Sequence, residues 1–96
     1  MIVAGVLVVE LMFPEAMDPR ERAGRLARLK SLVRNRCKLS AAEVNPEEGQ
    51  GTVSLAVAAV SSREDLCGDI LEEALNVIEG ANLLIVLDHQ AEMIEL

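Results

Sequence analysis

The amino-terminal segment from Ile2 to Met12 constrains the fold more than any other part of this sequence. Apolar side chains occupy both alternating sets of positions, and Glu10 is the one charged interruption. A segment of this kind is typical of a strand in the middle of a sheet, covered on both faces. It has no basic amino-terminal region, no small-residue cleavage site and too few residues to span a bilayer. We therefore interpret it as a central strand of a soluble, cytoplasmic protein.

A helix is predicted after this strand and a short turn. Asp18 can accept a hydrogen bond as the N-cap, and Pro19 suits the first helical position, where a missing N–H costs nothing. Apolar residues then recur every three or four positions, the spacing of a helical stripe that packs on a sheet. The stripe consists of Ala23, Leu26, Leu29, Val33 and Cys37.

The rest of the chain also alternates between strand and helix patterns. We predict a short edge strand at 38–44, a hairpin loop at 45–51 and a second central strand at 52–61. A second helix is predicted from about Arg63 to Glu79, with Ser61 or Ser62 at its start and Gly80 after its end. In the carboxy-terminal segment the apolar pattern predicts strands at 83–87 and 91–96, separated by the polar residues 88–90.

This order predicts an α+β fold in a single domain, residues 1–96. Strand, helix, strand, strand, helix, strand is the β-α-β-β-α-β order of ferredoxin-like sandwiches, in which two helices lie on one face of an antiparallel four-stranded sheet. Right-handed crossovers place the first and third strands in the centre, where we expect them to run parallel to each other. The two helices then leave the other sheet face bare.

A bare sheet face favours self-association. Phe13 is the only aromatic residue, so the core consists of aliphatic side chains that each bury less area than an aromatic ring. An exposed apolar sheet face is an association or ligand surface. We expect a homodimer, formed through this face or through a sheet edge. The alternative is a monomer whose face is softened by Ala, Thr and Ser side chains.

Charge is distributed unevenly along the chain. Residues 20–38 contain eight of the nine Lys and Arg residues and one acid, a balance of +7, whereas the rest of the chain carries −14. A guanidinium group matches the geometry of a phosphate and keeps its charge. Our hypothesis is therefore an RNA-binding site formed by Arg20, Arg22, Arg25, Arg28, Arg34 and Arg36. The alternatives are a solvated helix face, or one that docks on the acidic surface of a protein partner or of this chain.

The sequence contains no catalytic or metal-binding pattern. Cys37 and Cys67 lie thirty residues apart without a CxxC motif, and His89 is the only histidine, so neither a zinc site nor a disulfide is predicted. The loop after the first strand lacks the Gly-rich cradle with which an acylphosphatase of similar fold binds phosphate. The central strands lack aromatic residues for stacking bases, so RNA contact would be to backbone and shape. We expect no enzyme activity, no cofactor and no metal.

Three segments carry a family resemblance: MIVAGVLVVEL, RNRCKLSAAEV and LAVAAVSS. In this order they resemble the YlxP-like family of small bacterial proteins of unassigned biochemical function, from Met1 to the mid-nineties. The resemblance implies a ferredoxin-like fold, often dimeric, and genes that can lie among those for transcription and translation factors, including a ribosome-binding factor. This chain departs from the family pattern at Ala23, which replaces a basic residue, at Gln50, which replaces a Trp, and at Met17, which replaces a His.

Together, the charge pattern and the resemblance suggest a non-catalytic binding protein. The expected partner is ribosomal RNA or a ribosomal subunit, bound through the basic first helix. A protein–protein adaptor is the first alternative. The second is a regulatory dimer that binds a small ligand at its subunit interface, as ferredoxin-like dimers of the ACT type do.

Overall fold

The structure, a computed structural model, describes residues 1–14, 17–44 and 51–96. The element order along the chain is the predicted one. The elements are β1 (Val3–Met12), α1 (Pro19–Arg36), β2 (Ser40–Val44), β3 (Thr52–Ser61), α2 (Glu64–Ala81) and β4 (Ile85–Glu95). The hairpin loop predicted at 45–51 lies outside the described residues, apart from Gly51.

The four strands form one antiparallel sheet in the order β2-β3-β1-β4. β1 pairs with β3 from Val3 opposite Ser61 to Met12 opposite Thr52, and both strands are central. The α+β, ferredoxin-like arrangement is confirmed, but the expectation that β1 and β3 run parallel is wrong. The crossover through α1 makes β2 parallel to β1, and the hairpin from β2 to β3 then reverses the chain.

The hydrophobic core lies between the sheet and the two helices. Odd-numbered residues of β1 and β3 face the helices, and Leu7, Val9, Leu55 and Val57 are at most 3% exposed. Even-numbered residues of the same strands face the other side, where they are half-buried or exposed. This bare sheet face was predicted. β1 is accordingly covered completely on one side only, whereas the sequence pattern had suggested burial on both.

Both ends of α2 differ from the prediction. Its N-cap is Arg63, which makes no side-chain capping bond, and the Ser61 hydroxyl accepts a hydrogen bond from the Arg63 amide. At the other end the helix continues to Ala81 and stops at Asn82, which has a φ of 55°. Asn is one of the few residues besides Gly that adopt this left-handed conformation readily, so Asn82 ends the helix in place of Gly80.

β4 is one continuous strand rather than the predicted two. Residues 88–90 are polar, but they stay in the strand and pair with β1, with a bulge opposite Glu10 and Leu11. β4 forms an edge of the sheet, and most of its side chains are exposed on both faces. Polar residues are therefore tolerated in it without ending the strand.

Candidate nucleic-acid interface

α1 carries the basic residues, and its sequence determines both of its ends. The Asp18 carboxylate accepts a hydrogen bond from the Glu21 amide at 2.9 Å, and Pro19 is the first helical residue. Glu21 lies in the first turn, and Arg34 and Arg36 lie in the last. These charges complement the helix dipole, which favours acids at the start and cations at the end.

The apolar stripe of α1 is narrower than the sequence predicted. Leu26, Leu29 and Val33 are buried, whereas Ala23 is exposed and Cys37 is half-buried. α1 packs against β2 on one flank and α2 on the other. The arginines therefore occupy four settings: the flank towards β2, the flank towards α2, the end of β1 and the solvent face.

Arg22 lies beside the end of β1 and not on the solvent face. Its guanidinium carbon is 5.3 Å from the centre of the Phe13 ring, within the range of a cation–π contact. The Arg22 Nε is buried and has no hydrogen-bond partner among the residues that the structure describes. Arg22 therefore holds the start of α1 against the sheet.

Arg25 and Arg34 attach the two flanks of α1 to neighbouring elements. Arg25 donates a hydrogen bond to the Leu83 carbonyl at 2.9 Å, just beyond the end of α2, where a helix favours a cation. Arg34 donates to the Ala41 carbonyl of β2 at 2.6 Å. Both side chains thus position α1, although Arg34 is itself largely exposed.

Arg20, Arg28 and Arg36 remain available on the outer surface of α1. All three are exposed, and none has an ion pair or side-chain hydrogen bond within the described part of the chain. Neighbours in this set are eight residues apart, about 12 Å along the helix axis. We call Arg20, Arg28 and Arg36 the free arginines.

A shallow groove runs along α1 between two of the free arginines. Its volume is about 420 Å³, and it is lined by Ala27, Arg28, Ser31, Leu32, Asn35 and Arg36. The short side chains of Ala27 and Ser31 let another molecule approach the helix backbone closely, with a guanidinium at either end. The sequence does not distinguish the six arginines from one another, and the helical periodicity alone does not reveal this groove. The small residues spaced four apart on the polar side of the helix were the signal for it.

The adjacent helix α2 has the opposite charge. It contains six acids and no Lys or Arg. The acids of α2 are Glu64, Asp65, Asp69, Glu72, Glu73 and Glu79. Within the described residues the one ion pair is between Arg63 and Asp65, and the hydrogen bond from Arg63 lowers the pKa of the Asp65 carboxyl. The outer surface of the helix layer is thus basic along α1 and acidic along α2.

Neither cysteine is placed as a reactive thiolate. Burial raises the pKa of the Cys37 thiol, Glu73 raises it further, and Arg36 opposes this. A thiol with a raised pKa stays protonated at neutral pH and is a poor nucleophile. Cys67 is fully buried beneath α2. Within residues 1–14, 17–44 and 51–96, no three His, Cys, Asp or Glu side chains are grouped to hold a metal ion.

Comparisons with known proteins support the fold and the family. A family model described as "Protein of unknown function (DUF503)" matches residues 4–91. A solved structure described as "Structural Genomics, protein YJCS" is similar with a TM-score of 0.55 and 11% identity, over 96% of this chain and 99% of that one. At this identity the likeness concerns the fold alone. No curated protein matches the chain. In the described residues, no helix is long and apolar enough to cross a membrane.

Proposed function

Since this chain belongs to the DUF503 family, whose function is unknown, its own surface has to indicate its role, and we propose that it is a non-catalytic RNA-binding protein. Its partner is ribosomal RNA or a ribosomal subunit in the cytoplasm, contacted through the outer surface of α1. The resemblance to YlxP-like proteins, with genes near those for translation factors, supports a translation-linked process.

The free arginines are the observation that carries this proposal. They extend from an 18-residue helix, none is neutralised by a described carboxylate, and two of them border a groove lined by small side chains. A guanidinium donates two hydrogen bonds to one phosphate, which a lysine cannot do in the same geometry. Arg22, Arg25 and Arg34 serve the proposal indirectly, because they fix the position of α1.

The surface favours contact with the RNA backbone and not with its bases. On the bare sheet face the central strands present Val6, Val8, Ala56 and Ala58, which offer no aromatic platform for a base. Contacts from arginines to phosphates are weakly specific for sequence and depend steeply on salt. Structured RNA, dense in phosphate, therefore suits this surface better than a single strand read by stacking.

Co-sedimentation with ribosomal subunits tests the proposal. The native chain and an Arg20→Gln, Arg28→Gln, Arg36→Gln variant are titrated against subunits over a range of salt concentrations. We expect weaker binding of the variant and a slope of log affinity against log salt that is smaller by about 2 to 3, since each lost phosphate contact removes about 0.7 to 0.9. Arg25 is left unchanged because its loss would also loosen α1.

A matched control places the same loss of positive charge elsewhere. Ala58→Glu, Val60→Glu and Ser62→Glu are substitutions at exposed positions outside α1 and β4, and together they lower the net charge by the same three units. This control should keep the salt slope of the native chain. If the native chain does not co-sediment even at low salt, the RNA proposal is wrong. Binding without a salt response would instead favour a protein adaptor.

A further inference from the structure

β4 has the longest unpaired strand edge in the described part of the chain. It is 11 residues long and ends the sheet on one side, whereas the opposite edge strand β2 has five residues. In β4 only Val86 and Met93 are half-buried against the core, and the other side chains of the strand are exposed. A long, uncovered edge is a template on which another strand can pair.

The hydrogen-bond pattern shows which backbone groups of β4 face outwards. The Leu96 amide donates to the Ile2 carbonyl at 2.8 Å, in the same register that sets Val3 opposite Glu95. In an antiparallel pair, residues that exchange hydrogen bonds alternate with residues whose N–H and C=O point away from the partner strand. Even-numbered residues of 88–96 therefore bond to β1, and the odd-numbered ones face the open edge.

One outward amide already has an acceptor, and the next ones along the strand have no strand to bond to. The His89 amide donates to its neighbour's carboxylate, Asp88 Oδ1, at 2.8 Å, which agrees with an outward direction for odd-numbered residues. Beyond it, the amides of Ala91, Met93 and Glu95 face the side on which no described strand pairs.

We propose that β4 pairs with β4 of a second copy, antiparallel about a two-fold axis at Ala91, to form a continuous eight-stranded sheet. Ala91 then exchanges hydrogen bonds with the partner's Ala91, and the Met93 amide donates to the carbonyl of the partner's His89. The two-fold axis gives both copies the same contacts and closes the assembly at two chains.

Charge selects this register over its neighbour. With the axis at Ala91, Glu92 lies opposite the partner's Gln90 and Asp88 lies opposite the partner's Ile94, so no acid directly faces an acid. An axis at Gln90 would place Asp88 directly opposite the partner's Glu92, and like charges in that position are destabilising. Asp88 and Glu92 of the two copies remain diagonal neighbours on the bare face. Because salt screens the repulsion between these four acids, it should stabilise the dimer.

The contact area along the paired edges is small, so we expect a weak dimer. The overlap from residue 87 to residue 95 is about 31 Å long. Packed sheets lie about 10 Å apart, so a strip with side chains on both faces is about 10 Å tall and each copy buries about 300 Å², below the ~800 Å² per partner of a standard interface. Leu87 and Ile94, which are 51% and 48% exposed in the single chain, supply apolar surface to it.

Sedimentation equilibrium tests the pairing with a proline probe. The amide of Ala91 bonds to no strand in the single chain, so Ala91→Pro removes no hydrogen bond between β1 and β4 but blocks a strand on the outer edge. We expect a native dimer of two 10.4 kDa chains that strengthens with salt, a folded Ala91→Pro monomer, and an Ala91→Val control that dimerises. A native chain that stays monomeric from micromolar to millimolar concentration would overturn the proposal.

A second variant separates edge pairing from association through the bare sheet face. Ala58→Arg places a charge on that face, away from β4, and should leave the dimer intact. A dimer that survives Ala91→Pro but is lost in Ala58→Arg would show association through the bare sheet face and would refute pairing along the β4 edge.

Hydrogen exchange of the native chain decides the matter if the proline variant does not fold. The amides of Ala91 and Met93 should become protected as the concentration rises, whereas those of Gln90 and Glu92 should be protected throughout. If the exchange rates of the Ala91 and Met93 amides do not change across the dimer transition, pairing along the β4 edge is excluded. The test is independent of RNA binding, which weakens with salt.

Discussion

Gly5 is the point of closest approach between the sheet and α2. A Cβ at this position would lie 2.7 Å from Cys67 Sγ, 2.8 Å from Leu71 Cδ1 and 2.9 Å from Met93 Sδ. Three contacts this short cannot all be relieved by one side-chain movement, because Cys67 and Leu71 are themselves buried. The absence of a side chain at Gly5 is thus what lets α2 lie directly on β1.

We predict that Gly5→Ala lowers the free energy of unfolding by about 1–3 kcal/mol, the usual cost of overpacking a core. Gly24→Ala is the matched control, because its Cβ meets nothing within 4 Å on an exposed turn of α1. It should raise stability by about 0.5–1 kcal/mol through helix propensity. Urea denaturation measures both. Equal effects of the two substitutions would contradict the packing argument.

At the scale of elements, α1 is fixed from both flanks by arginines. Arg25 is half-buried and bonds to the Leu83 carbonyl, so we predict that Arg25→Met lowers the free energy of unfolding by about 1–2 kcal/mol. Arg28 is exposed and unbonded among the described residues, so Arg28→Met should change it by no more than about 0.5 kcal/mol. Thermal unfolding compares them, and a larger loss from Arg28→Met would show that these assignments are reversed.

The elements themselves were predictable because each has a local signal. Alternation marked β3 at its observed bounds, and Asp18 with Pro19 marked the start of α1. The end of α2 was less predictable, because Gly80 and Asn82 both suit a helix terminus and only the packed structure decides between them. The prediction divided β4 into two strands at its polar residues. An edge strand exposed on both faces loses the apolar–polar alternation that burial imposes, so the pattern did not show that the strand continues.

The candidate site was predictable as a helix but not as a set of side chains. Periodicity placed the arginines on the polar side of α1. Which of them are free depends on carbonyls brought close by the tertiary fold, and Leu83 lies 58 residues from Arg25 along the chain. For Arg22 the deciding contact is Phe13, at the end of the preceding strand. No local pattern carries this information.

At the scale of the whole molecule, the proposed RNA surface lies beside a helix of opposite charge. Packed helices are about 10 Å apart, and two unit charges at that distance in water interact by about 0.4 kcal/mol. Acids on α2 therefore repel a phosphate backbone bound along α1 and restrict it to the far side of that helix. The net charge of −7 acts in the same direction.

We predict that Asp69→Asn, Glu72→Gln and Glu73→Gln together strengthen RNA binding about 3- to 10-fold at low salt, because three repulsive charges are removed and Glu73 lies beside Arg36. The gain should shrink as salt shortens the screening length below the distance between the helices. Titration of subunits with both chains, at a concentration where each is monomeric, measures the ratio.

The control removes the same number of acids from strands that lie away from α1. Glu10→Gln, Glu92→Gln and Glu95→Gln lie on β1 and β4, whereas α1 packs against β2 at the opposite edge. Screening over that distance should leave RNA affinity nearly unchanged. Equal gains from the two triple variants would mean that net charge alone governs binding. In that case α2 would have no part in positioning the RNA.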